Sequence, residues 1–401
     1  MKSAARSARS GRILLGAAAV AAVASLAWPA AAAVAGTTAT RISDRDLAAG
    51  QIGSRAGVPW QDVGPGWTLA VYSASSGGAG QPIKPGSDTV YLVDPAGGRY
   101  TIVTWSKNSA QTQWSLQGWS GDTKRALFTA GASGAGEQVH QLDLTTGTVT
   151  SFTLPADVTV IGYTRPEGLN ILAESGAGQG SGSKQTLVRY NLSGAAQQTL
   201  ATVRDLGETA YQPSGVQLAA GAQHGLELIS NAGGVIRALP VPGVELGCNA
   251  VRWWGADTIL ANCADHQNGE PQMWLVPASG QAPHALTPTR GSSGFDFGDF
   301  DAWQLSSGLY VDGFGACGTM VIGRQPAHGA ETQVNVPGSV SSQIITATRS
   351  RLLVWRINPC RPGGSLVWLN PATSAIKVAV PEHGDQFGVI ATVPYFVAGK
   401  F

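Results

Sequence analysis

Apolar and polar residues alternate along most of the chain in short runs, and nearly every run is closed by Gly, Pro, Asn, Asp or Ser. Alternation with a period of two predicts half-buried strands, and turn residues this frequent predict many of them. From Trp60 onward the runs form a repeat. Its most legible part is an apolar strand followed by a tight turn: Tyr91-Leu92-Val93-Asp94-Pro95-Ala96-Gly97, Gln141-Leu142-Asp143-Leu144-Thr145-Thr146-Gly147, Val188-Arg189-Tyr190-Asn191-Leu192-Ser193-Gly194 and Leu228-Ile229-Ser230-Asn231-Ala232-Gly233. Three more follow at Trp274-Leu275-Val276-Pro277, Ile322-Gly323-Arg324-Gln325 and Trp368-Leu369-Asn370-Pro371. Their spacing of about 40 to 50 residues is the period of propeller blades.

Each anchor is followed by another alternating strand, as in Arg99 to Trp105 or Ala375 to Val380, and preceded by a strand-turn-strand pair, as in Trp253 to Leu260. A four-stranded twisted sheet cannot bury both of its faces alone, whereas radial stacking buries both and leaves only short edges. The expected fold is therefore all-β, a seven-bladed β-propeller of four-stranded antiparallel blades over residues 58–401. Residues 36–57 read as a lead-in segment, with Arg41 to Leu47 able to form a short helical turn. Ring closure has two solutions. Either Phe387 to Phe396 supplies the innermost strand of the first blade beside Trp67 to Tyr72, or Trp60 to Val63 fills that place; the first is favoured. Ser73 to Ser87 and Glu174 to Ser183 are rich in Gly and Ser and read as loops.

The clearest unit, Gly118-Trp119-Ser120-Gly121-Asp122-Thr123-Lys124-Arg125-Ala126-Leu127-Phe128, resembles the repeat of TolB-type, WD40-like propellers, with the usual Pro missing and the Gly and Asp transposed. Tyr163 to Leu172 and Tyr211 to Ala219 are more distant versions. The similarity covers residues 60 to 380 and implies the fold. It implies no activity, because propellers carry many unrelated functions.

Composition bounds the compartment and the partners. Lys and Arg number 26 against 25 Asp and Glu, for a net charge of +1, so no broad field attracts nucleic acid. Lys2, Arg6, Arg9 and Arg12 precede an apolar run from Ile13 to Ala27, and Ala33-Val34-Ala35 supplies a small-x-small cleavage pattern. This is the order of a secretory signal peptide of bacterial style over residues 1–35, with a single membrane anchor as the competing reading. The expected location is extracellular or associated with the cell envelope. The four cysteines all lie in the C-terminal half, and an even number in an exported chain favours disulfides. Three pairings are possible; repeat positions favour Cys248 with Cys263 on neighbouring strands and Cys317 with Cys360 on adjacent units, and no C-x-x-C spacing supports zinc.

Candidate chemistry is sparse. Asp296, Asp299 and Asp301 stand close together and would gather oxygen ligands for Ca²⁺, the one cofactor the sequence suggests, or form an acid/base pair at the ring mouth. His266 beside Asp265 is the matching candidate for a general acid or base. Trp253 and Trp254 are candidates for a binding platform; adjacent strand residues point to opposite faces, which leaves one of them less buried. Structural roles outweigh functional ones for each of these. The expected function is a non-catalytic binding or scaffold module, monomeric, for a protein, peptide or cell-envelope glycan. The alternative is an exported hydrolase or lyase with an acidic site at the mouth, which would require at least three of these groups to converge.

Overall fold

The computed structural model describes residues 47–78, 81–106, 114–130, 136–176, 182–265, 270–288, 297–357 and 363–395. The expected signal peptide, the helical turn from Arg41, and the candidates His266, Asp296 and Cys360 lie outside the described residues.

The strands group into seven antiparallel sheets that follow one another along the chain. Blade 2 is built from Ser115–Trp119, Arg125–Ala130, Gln138–Asp143 and Val149–Thr153, hydrogen-bonded in sequence order from the innermost strand outward. Blades 3 to 7 repeat that order, beginning at inner strands Val158–Tyr163, Thr209–Tyr211, Val244–Trp253, Asp299–Leu305 and Ser342–Ala347. All of the sequence anchors fall on the third strand of their blade. The fold is the seven-bladed propeller that the repeat predicts.

The anchors recur because their turns need the same chemistry. Asp94 Oδ1 accepts the N–H groups of Ala96, Gly97 and Gly98, and Asp143 Oδ1 accepts those of Thr145 and Thr146. Asn191 does the same for Ser193 and Ala195. An Asx side chain that satisfies successive backbone donors fixes the reversal. At its end Gly147 sits at φ +79, a left-handed conformation that favours glycine.

Closure uses both ends of the chain. Gln386–Pro394 pairs antiparallel with Thr68–Gly78 and becomes the innermost strand of blade 1, whose remaining strands are Asp88–Val93 and Arg99–Trp105. Trp60 to Val63 forms no strand. Tyr395 continues the latch: its N–H donates to Trp67 O, its hydroxyl to Gly121 O, and its ring packs edge-on against Trp119. Three features depart from expectation. Glu174 and Ser175, expected in a loop, end the strand Asn170–Ser175. Ile52–Ser54, inside the expected lead-in, pairs in parallel with Arg99–Trp105 as an extra outer strand. Ser73 to Gly78 is not loop but the end of a long strand, onto which Gln81–Lys84 folds back.

The core lies between blades. Successive residues of a strand serve opposite neighbours: Ile259 and Ala261 pack toward blade 4, whereas Leu260 joins Met273, Ala302 and Val311 at the seam with blade 6. Trp67, Trp119, Trp253, Trp303 and Trp368 are all fully buried in such seams, each a large contribution to burial.

Candidate functional site

Inner strands line the axis of the ring, and most of them carry a bulge against the second strand: at Leu116/Gly118, Val160/Gly162, Ala250/Arg252, Asp299/Asp301 and Ile344/Thr346. A bulge inserts one residue and re-aims the side chain that follows. In blades 5 and 6 the residues so placed are Arg252 and Asp301. They form an ion pair, with side chains 11% and 15% exposed. The Arg252 guanidinium also lies over the Trp303 ring, 3.6 Å from its centroid. Burial pulls the Arg252 pKa down to about 9, opposed by the nearby Asp312 carboxyl.

This arrangement decides what the predicted acidic cluster can do. Asp301 Oδ1 receives Arg252 and the Ala302 N–H, and Oδ2 receives the Trp303 indole N–H at 3.2 Å. Asp299 opens the same strand and is buried. Asp312, one strand outward and fully buried, accepts the Ile344 N–H on blade 7 with both oxygens, at 3.0 and 2.9 Å. Burial raises the Asp312 pKa well above the carboxylate range, against the pull of that N–H and of Arg252. The constellation thus clamps blades 5, 6 and 7 together at the axis. Asp301, a candidate calcium ligand and acid/base group in the sequence, is spent on this clamp. Among the described residues no three His, Cys, Asp or Glu side chains gather as a metal site.

The tryptophan candidates are taken up by packing in the same way. Trp253 is fully buried and donates its indole N–H to Ala210 O at 3.0 Å; Trp254, slightly less buried, packs in the seam with blade 6. A buried indole offers no face to a ligand. Asp265 ends the second strand of blade 5. Cys248 and Cys263 face one another on the first two strands of blade 5 and are disulfide-bonded. Cys317 is exposed in the short turn Ala316–Gly318 and has no disulfide among the described residues.

Sequence reading missed the surface that does stand out. In each blade, the connection from second to third strand and the connection to the next blade leave from one end, here called the upper face. On that face blades 5 to 7 expose Leu246 (61%), Phe297 (43%), Phe314 (42%) and Val340 (72%). The Phe314 ring lies 4.8 Å from that of Phe300, the residue at the inner-strand bulge, and backbone bonds tie Phe297 and Gly298 to Phe314. Beside Val340 a cavity of about 180 Å³ opens, lined by Met320, Ile322, Val336 and Ser342. The sequence signal for it is the Phe spacing within the acidic stretch Phe295 to Phe300.

No protein-family profile and no curated protein matches the sequence. Solved structures do match. One reports two prolyl endopeptidases, with a TM-score of 0.51 and 12% identity, covering 78% of this chain and 49% of that one. Another is a puromycin-hydrolyzing peptidase of Mycobacterium tuberculosis, with a TM-score of 0.48 and 17% identity over 77% of this chain and 53% of that one. A third is a putative TolB from Agrobacterium tumefaciens, with a TM-score of 0.39 and 12% identity over 82% of this chain and 99% of that one. At these identities the likeness is one of fold. The chain spans about half the length of the two peptidases. No helix among the described residues is long and apolar enough to cross a membrane.

Proposed function

We propose that this chain is an exported binding or scaffold module that docks a protein or peptide partner on the upper face of blades 5 to 7. The observation that carries the reading is the exposed arc of Leu246, Phe297, Phe314 and Val340 beside the cavity near Ile322. Exposed large apolar residues gathered on one face mark interaction sites, and aromatic side chains supply the anchors of such interfaces. The disulfide between Cys248 and Cys263 lies two residues along the same strand from Leu246 and holds the first two strands of blade 5 in register. That bond fits an oxidising compartment, as does the basic and apolar N-terminal segment.

The test is selection of a displayed random-peptide library on the full chain, followed by titration of selected synthetic peptides against wild type and a Phe297→Ser/Phe314→Ser variant. The expected result is at least tenfold weaker binding to the variant at unchanged melting temperature. Peptides that bind both proteins equally, or a library that yields no binder, would overturn the assignment of this face.

A further inference from the structure

A second feature lies on the far side of the ring and rests on none of the above. His140, on the third strand of blade 2, and Ser151, on its outer strand, are directly opposite each other, and His140 Nδ1 is 2.7 Å from Ser151 Oγ. Asp143 N–H donates to Thr148 O and Leu154 N–H donates to Glu137 O, so the pairs 143/148 and 137/154 are hydrogen-bonded. Alternation along an antiparallel ladder makes 140/151 a non-hydrogen-bonded pair, in which side chains approach most closely. The backbone N–H of Ser151 therefore points away from blade 2, toward an outer edge that pairs with no other strand among the described residues. Ser151 is exposed, while His140 is buried.

The imidazole is held by packing. Its ring stacks on Trp114 at 4.1 Å and 14°, and Trp114 in turn meets Trp105 edge-on at 4.8 Å and Phe128 at 6.0 Å. Stacking fixes the ring plane, one part of what a carboxylate does in a triad. His140 Nε2 is buried with no hydrogen-bond partner among the described residues. Burial holds the imidazole pKa below its ordinary value, so the ring is neutral at neutral pH and, with its proton on Nε2, Nδ1 accepts the serine hydroxyl proton.

We infer that Ser151 and His140 form a nucleophile and base pair that accepts acyl groups from carboxylic esters, with the outward Ser151 N–H as the oxyanion donor and the half-buried Trp105 and Trp114 as an apolar wall. Ser151 Oγ bonds to the ester carbonyl carbon as its proton passes to His140 Nδ1, and the carbonyl electrons move onto oxygen. Collapse re-forms the carbonyl and breaks the bond to the leaving alcohol, which takes the proton from Nδ1. Water then cleaves the acyl-serine by the same route, returning the proton to Ser151 Oγ.

The experiment treats the full chain with a fluorophosphonate, which phosphonylates an activated serine with loss of fluoride, and maps the adduct by mass spectrometry, beside p-nitrophenyl acetate hydrolysis. Labelling at Ser151 is expected, abolished in Ser151→Ala and at least tenfold slower in His140→Gln, with matching losses of ester hydrolysis. Melting temperature and near-ultraviolet circular dichroism establish that each variant is folded. Absence of labelling in excess probe, labelling that survives Ser151→Ala, or a rate unchanged in His140→Gln would overturn the assignment. Should His140→Gln fail to fold, Ser151→Ala and the position of the adduct decide the matter. Peptide binding at Phe297 and Phe314 is unaffected by Ser151→Ala in either case, so the two readings fail separately.

Discussion

Glu174 shows how much a single buried side chain weighs in this ring. It lies on the second strand of blade 3 with no exposed surface, and burial raises its pKa to about 7, with the Gln185 side chain pulling the other way. Its ordinary value is 4.5, so between 4.5 and about 7 the folded chain binds more protons here than the unfolded chain. Stability from this group is therefore full at low pH and is lost as pH rises through 7. The span corresponds to on the order of 3 kcal/mol. Denaturant unfolding from pH 4.5 to 8.5 should show wild type losing stability relative to Glu174→Gln as pH rises, while other groups, His140 among them, cancel in the difference. A difference that is flat with pH would assign the carboxyl an ordinary pKa. Arg252 and Asp301 illustrate the opposite solution to the same problem, in which a charge kept near the axis is matched by a partner and an aromatic face. Neither arrangement was legible in the sequence, because each depends on which blade faces which.

At the scale of elements, blade 5 is the one blade that a covalent bond among the described residues holds at its axial edge. Its outer strand is only His284–Ala285, and its long inner strand carries both the bulge that aims Arg252 and the exposed Leu246. Closing a loop between residues 15 apart in sequence contributes about 3 kcal/mol by constraining the unfolded chain. Cys248→Ser/Cys263→Ser should lose about that much in denaturant unfolding, and reduction of wild type by dithiothreitol should reproduce the loss. Equal stability of the oxidised and reduced proteins would remove this role. The strand pattern itself was legible, since alternation and Asx turns are local properties. The pairing of Gln81–Lys84 with the preceding strand was not, because a Gly- and Ser-rich composition hides an extended hairpin arm.

The ring as a whole depends on the latch. Thr68–Gly78 has the C-terminal strand on one side and Asp88–Val93 on the other, and further bonds cross the same seam: Arg99 Nη1 donates to Ala379 O at 2.7 Å, Arg351 Nη2 to Pro95 O at 3.0 Å, and Trp355 Nε1 to Val389 O at 3.1 Å. Deleting residues 386–401 should expose the inner edge of blade 1 and strip Val389 from the seam with blade 7. The expected outcome is a lower and broader thermal transition with concentration-dependent aggregation, the behaviour of an unpaired strand edge. A sharp transition at the wild-type temperature would show that the other seam contacts suffice to close the ring.

The sequence by itself determined the blade and the number of blades, and it narrowed closure to two solutions between which the pairing of Gln386–Pro394 with Thr68–Gly78 decides. These rest on local periodicity, on turn chemistry such as that of Asp143 and Gly147, and on one strand left over at the C-terminus. Only the tertiary structure decided which side chains meet. Residues far apart in sequence, Arg252 with Asp301 and Asp312 with Ile344, meet across blade seams, and the first of these contacts consumes Asp301, which the sequence left available for chemistry. Other side chains, Phe297 with Phe314 and His140 with Ser151, gain their meaning from which face or edge they occupy. Periodicity fixes how each sheet forms and says nothing of which side chains two neighbouring sheets bring into contact.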